Sequence, residues 1–144
     1  PRAPAPGLDR LPELAEQAGR AGLSVATETR GRPAPLPPGA DLAAFRIVQE
    51  ALTNTVRHSG SRTARVLLRY GPDTLELRVD DDGPSTRGSG SGSGGGGSGL
   101  VGMRERAAAF GGTVAAGPRP DGGFRVTARL PLTGLPHPGD EETT

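Results

Sequence analysis

The stretch DLAAFRIVQEALTNTVRHSG, residues 41–60, decides how the rest of the chain must be arranged. Taken at 3.6 residues per turn, Phe45, Val48, Leu52 and Val56 fall on one apolar stripe, while Glu50, Asn54 and Arg57 group on the opposite face. Asp41 stands at the N-cap position of this predicted helix, the Pro37-Pro38-Gly39 run keeps the preceding chain non-helical, and Gly60 suits the left-handed residue that closes a helix. Two readings fit the polar face. It is either the solvated side of an ordinary amphipathic helix, or a carboxylate, an amide and a guanidinium grouped to hold hydrated Mg²⁺ and a polyphosphate. The second is chemically natural because Mg²⁺ takes few protein oxygens and completes its shell with water and substrate phosphate.

The 144 residues around this helix suffice for one hydrophobic core and not for two. With 33% hydrophobic residues, 24 glycines and 15 prolines, much of the length must be loop, tail or low complexity. Cysteine is absent, which excludes disulfides and Cys-ligated zinc, and two separated histidines do not make a His-built metal site. All 17 basic residues are arginine. The missing lysine excludes the Walker A loop, the protein-kinase strand lysine and Schiff-base chemistry, so any phosphate must be held by arginine, backbone N–H groups and metal. The formal charge is +1 and the arginines are spread along the chain, with little aromatic surface for stacking, so nucleic-acid binding gains no support. No apolar run reaches the length of a signal peptide or a membrane span, and a cytoplasmic domain without membrane contact is expected.

On the N-terminal side, residues 1–7 form a Pro/Ala leader. A helix is predicted over 8–21, with Leu8, Leu11, Leu14 or Ala15, and Ala18 on one side, followed by a weakly alternating strand at 23–29. On the C-terminal side the period changes to two. Ala64, Val66, Leu68 and Tyr70 alternate with Arg65 and Arg69, Gly71-Pro72-Asp73 turns the chain, and Leu75, Leu77 and Val79 alternate with Glu76 and Arg78. Carrying that alternation forward puts Asp81 on the buried face and Asp80 and Asp82 on the other. A carboxylate delivered to the interior needs a partner, which is either a bound ligand or the turn that the Asp itself caps at Gly83. Residues 85–99 are nearly pure Gly and Ser, a linker by composition. They lead into a helix predicted from Leu100, with Met103, Ala107 and Phe110 on one side and Gly111-Gly112 as its stop. A glycine-rich segment entering a helix N-terminus is also an anion site. A second hairpin, 112–116 and 124–130, turns Phe124, Val126, Ala128 and Leu130 inward, and the polar residues 133–144 form a tail.

Taken in order, QEALTNTVRH (49–58), VDDDGPS (79–85) and GSGLVGMRER (97–106) resemble the N, G1 and G2 boxes of the ATP-binding domain of bacterial sensor histidine kinases. The likeness is greatest to the subfamily of the nitrate and thermosensor kinases. It covers residues 40–132, includes GGTVAAGPRPDGGFRVTARLPL at its end, and favours the Mg²⁺ reading of the central helix. What the resemblance implies is a two-layer α/β sandwich of the Bergerat type. In it a mixed sheet is covered on one face by helices near 8–21, 41–59 and 100–110, with a domain at 8–132 and an ATP lid at 86–99.

The same resemblance implies Mg²⁺ at Asn54 with Glu50 beside it as a metal- or water-orienting group, these two being the catalytic pair. It places Arg57 at the phosphates and His58 along the pocket, where a plain helix-terminal cap is the alternative for His58. Asp81 would accept from the adenine amino group, Gly83 would leave room for the base, and Gly97, Gly99, Leu100 and Gly102 would border the nucleotide. Ser85 departs from the family pattern, which has glycine there, and the lid is unusually pure in Gly and Ser. The implied reaction is transfer of the ATP γ-phosphoryl group to a histidine on separate dimerisation helices, and onward to a response regulator. An anti-sigma-factor-like serine kinase and a nucleotide-binding interaction module are the alternatives. No acceptor histidine precedes Leu8, so the chain is expected to be a catalytic domain apart from its phosphoacceptor helices.

Overall fold

The computed structural model describes residues 6–58, 60–83, 96–120 and 122–132. After a 3-10 turn at Leu8–Arg10, the order is α1 (Leu11–Arg20), β1 (Ser24–Arg30), α2 (Pro38–His58), β2 (Thr63–Tyr70), β3 (Thr74–Asp81), α3 (Gly96–Ala108), β4 (Thr113–Pro118) and β5 (Phe124–Pro131). The five strands make one mixed sheet in the order β1-β2-β3-β5-β4. Only the β1–β2 pair is parallel, because α2 lies between them as the crossover; the other pairs are antiparallel.

The period-two runs set the sheet's two faces. Leu75, Leu77 and Val79 of β3 are buried, in register with Val66 and Leu68 on one side and Val126, Ala128 and Leu130 on the other. This face carries the helices: α1 packs on β1, α2 on β2, β3 and β5, and α3 on β4 and β5. One core cluster joins all three helices to the sheet, from Leu11 and Leu14 through Ile47 and Val48 to Met103. Each fully buried Leu or Ile contributes about 1.5–3 kcal/mol. The opposite face is a charged lattice. Arg125 grips Asp80 through Nε (2.8 Å) and Nη2 (3.0 Å), and Glu76 sits among Arg69, Arg78 and Arg129. Leu67, on this second face between Glu28 and Arg78 in register, is nonetheless buried.

Four local expectations need correction. The central helix starts at Pro38 rather than Asp41, since Pro37 O accepts the N–H groups of Ala40 and Asp41 and proline is preorganised for a first turn. Asp41 is therefore inside the helix, and its carboxylate accepts the Leu8 N–H at 3.0 Å instead of capping. Within α2, Val56 is 39% exposed while Thr55 is buried at 3%. The helix is covered by β3 and α3 as well as α1, so its buried face is wider and rotated from the predicted stripe. Residues 8–10 form a 3-10 turn and the α-helix begins at Leu11. Finally, α3 begins at Gly96, so the last four positions of the predicted lid, 96–99, are helical; the rest of the lid, and the leader and tail, lie outside the described residues.

The predicted helix stops hold. Gly60 has φ 68° and Gly111 φ 80°, and Gly112 N donates to Ala107 O at 2.8 Å, closing α3. Gly111→Ala should lose about 1–2 kcal/mol, because a Cβ is disfavoured at that φ. Gly19→Ala, in the last turn of α1 with nothing within 4 Å of the added methyl, should gain about 0.5 kcal/mol. Urea denaturation of the two variants checks the opposite signs.

Candidate functional site

The C-terminal half of α2 carries Glu50 and Asn54, both half-buried, then Arg57 and His58, both exposed. Facing them, α3 contributes Gly99, Gly102 and Arg106. These seven residues line an open cleft of about 400 Å³. A Cβ placed on Gly99 would lie 2.9 Å from Asn54 Nδ2 and 3.0 Å from Glu50 Oε2. The amide and the carboxylate therefore converge on one point against the α3 backbone, and any larger residue at 99 would displace them. Among the described residues none of Glu50, Asn54, Arg57, His58 and Arg106 has a hydrogen bond or an ion pair. Polar groups set into a wall without protein partners are open to a ligand. One carboxylate against two guanidiniums gives the cleft a net positive charge, which suits an anion.

Could the cleft hold a metal? No cluster of three His, Cys, Asp or Glu exists among the described residues, so there is no all-protein cage. Glu50 Oε2 and Asn54 Oδ1, 3.0 and 3.5 Å from that same Gly99 Cβ position, are two protein oxygens that fit Mg²⁺, which needs one or two protein ligands beside substrate phosphate and water.

Asp81 ends β3 on the buried face as its alternation predicts, only 2% exposed. Its Oδ1 accepts the Gly83 N–H at 3.0 Å, so the turn-capping alternative is realised. Its Oδ2 lies 3.3 Å from the Thr55 hydroxyl, whose single proton is shared with the Ala51 carbonyl at 3.0 Å. The strand end is pinned from behind: Arg119 Nη1 donates to the Asp81 carbonyl and to Asp82 Oδ1, both at 3.0 Å, and Thr63 Oγ1 donates to Asp82 Oδ2 at 2.8 Å. The Thr63 hydrogen bond, then Arg119, hold the Asp82 carboxyl below the usual carboxylate range. This small, solvent-screened contribution to stability is present above the unfolded-state value and is lost as pH falls.

Residues 39–134 match the family described as Histidine kinase-, DNA gyrase B-, and HSP90-like ATPase. The chain belongs to that family. Among curated relatives of this ATPase-family domain, the Sensor histidine kinase LnrJ of Bacillus subtilis is 33% identical over 126 residues, 87% of this chain and 30% of LnrJ. The Sensor protein VraS of Staphylococcus aureus is 39% identical over 97 residues, 67% of this chain and 27% of VraS. The chain thus spans less than a third of the length of these relatives. The ATP binding domain of PrrB from Mycobacterium tuberculosis superposes with a TM-score of 0.61 at 26% identity, covering 89% of this chain and 93% of that one. The two-layer α/β sandwich and the ATP-binding domain of histidine-kinase type are as the resemblance implied.

Of the site residues named from the sequence, the cleft of this ATPase-family domain gathers Glu50, Asn54, Arg57, His58, Gly99 and Gly102. Asp81 and the buried Gly83 do not line it; they adjoin it through Thr55, the neighbour of Asn54. Gly97 lies in the first turn of α3, and Leu100 is half-buried against the core. Two participants went unnoticed in the sequence. Thr55 was hidden by the predicted stripe, and Arg106 had only its spacing of four from Gly102 to recommend it. Among the described residues no helix is long and apolar enough to cross a membrane.

Proposed function

We propose that this domain binds Mg-ATP in the cleft between α2 and α3, with the adenine directed to Asp81. The γ-phosphoryl group is then transferred to a histidine on separate dimerisation helices, from which a response regulator receives it. The observation that carries this is the convergence of Glu50 and Asn54 on Gly99, beside Arg57 and His58, with no partner for any of the four side chains among the described residues. Asn54 and Glu50 would hold Mg²⁺, which supplies neutralisation of charge between phosphate oxygens when bound. Arg57 steadies the phosphate chain, and the glycines in the first turn of α3, Gly97 and Gly99, let backbone and phosphate approach. Asp81, facing the interior, accepts a hydrogen bond from the 6-amino group of adenine, where guanine carries a carbonyl oxygen that cannot donate. Protein catalysis here is positioning and charge neutralisation, since phosphoryl transfer needs little else from side chains.

The experiment is incubation with radiolabelled ATP. The isolated 144-residue chain should bind Mg-ATP yet acquire no stable label, because His58 forms part of the cleft wall itself and cannot approach in line. Adding the dimerisation helices of the same gene as a separate chain should place label on those helices, weakly, because no tether raises the local concentration. Label on the isolated chain that vanishes in His58→Ala, or in His137→Ala at the only other histidine of the sequence, would overturn the assignment.

A further inference from the structure

We propose that Arg106 is a second phosphate-binding cation of the cleft, gripping the nucleotide's polyphosphate from α3 opposite Arg57 on α2, and that Gly102 is glycine in order to make room for its guanidinium. This rests on the nucleotide reading given above and deepens it.

The chain has no lysine, so a phosphate grip must be assembled from guanidiniums, N–H groups and metal. Arg106 lines the same cleft as Glu50, Asn54, Arg57 and His58. Its Nη1 lies 2.9 Å from the position a Cβ on Gly102 would take, with Cζ at 4.0 Å. The guanidinium is therefore folded back one turn along α3, in the direction that helical side chains take. That is toward the helix N-terminus, where N–H groups and the dipole favour an anion.

Several other arginines of the fold are tied to protein partners. Arg104, two residues earlier on α3, donates to the Val114 carbonyl at 3.3 Å and ties the helix to β4, while Arg78 and Arg125 are paired with Glu76 and Asp80. Arg106 has no hydrogen bond or ion pair among the described residues, although Glu50 lines the same cleft. A guanidinium left without a carboxylate at a cleft of net positive charge is matched to phosphate oxygens, which its planar fork can take two at a time. The competing role is that of a last-turn cation complementing the α3 dipole, which would affect stability slightly and ligand not at all.

The test is calorimetric titration of the wild type, Arg106→Gln, Arg106→Lys, Gly102→Ala and the Arg106→Gln/Gly102→Ala double variant with adenosine, ADP and ATP at fixed Mg²⁺, alongside thermal unfolding. Arg106→Gln should weaken ATP and ADP roughly ten- to hundredfold, the loss expected for a hydrogen bond to a charged group. Adenosine binding and the unfolding midpoint should stay unchanged, and Arg106→Lys should recover part of the loss. Gly102→Ala should weaken ATP in the wild type but add nothing in the Arg106→Gln background, since its methyl acts by displacing that guanidinium. Unchanged ATP affinity in Arg106→Gln, or equal losses for adenosine and ATP, would overturn the proposal. A wild type that binds ADP and ATP normally isolates that failure to Arg106. A wild type that binds none of the three ligands overturns the nucleotide reading together with it.

Discussion

In Asn54→Ala the contribution of Mg²⁺ to ATP binding should vanish, and phosphoryl transfer in trans should fall by roughly two to three orders of magnitude, the scale of losing one preorganised group at a developing charge. Asn54 is half-buried on the cleft wall, its amide close against Gly99, and it makes no hydrogen bond to the described protein. Truncation therefore strands no buried donor or acceptor. Alanine is also the better helix former, so stability should change by no more than about 0.5 kcal/mol. Calorimetry with and without Mg²⁺ separates metal from nucleotide. If wild type and variant gain equally from Mg²⁺, the metal is held elsewhere, and Glu50 becomes the first residue to test.

The second large effect is expected at Asp81. Asp81→Asn should weaken ATP roughly ten- to hundredfold, because a neutral amide replaces a charged acceptor, and should lose most of the preference for ATP over GTP. The fold should survive the change. An asparagine can keep accepting the Gly83 N–H through Oδ1 while its Nδ2 donates to Thr55 Oγ1, whose own proton then goes wholly to the Ala51 carbonyl. Asp81→Leu is the contrasting variant. It leaves the Gly83 N–H without its partner in the interior, and should lose both nucleotide and about 1–3 kcal/mol of stability. Equal affinity of wild type and Asp81→Asn for ATP, with unaltered discrimination against GTP, would show that the base is recognised by other residues.

These expectations draw on what was legible before any tertiary structure was known. Alternation along β3 is a local property of the chain, so it could be carried to Asp81 and put that carboxylate inside correctly. The polar face of α2 is equally local: Glu50, Asn54 and Arg57 fall together because a helix turns by a fixed angle per residue. Gly60 and Gly111 were readable as stops because a positive φ favours glycine wherever it occurs.

What only the tertiary structure decided is what each face meets. The N-cap expected of Asp41 gave way because the Leu8 N–H, thirty-three residues away, takes its carboxylate. Val56 lies outside and Thr55 inside because the strand ending at Asp81 brings a hydrogen-bond acceptor to that side of α2. The Gly/Ser sequence of 96–99 gives no helix signal by propensity, yet α3 begins there. Arg106 could not be found from pattern either. Whether a long cation salt-bridges, covers apolar surface or faces a ligand depends on the neighbours that folding supplies. Periodicity reports how a segment's own side chains are distributed. The partner across the gap is set by sheet order and helix packing, which no single segment encodes.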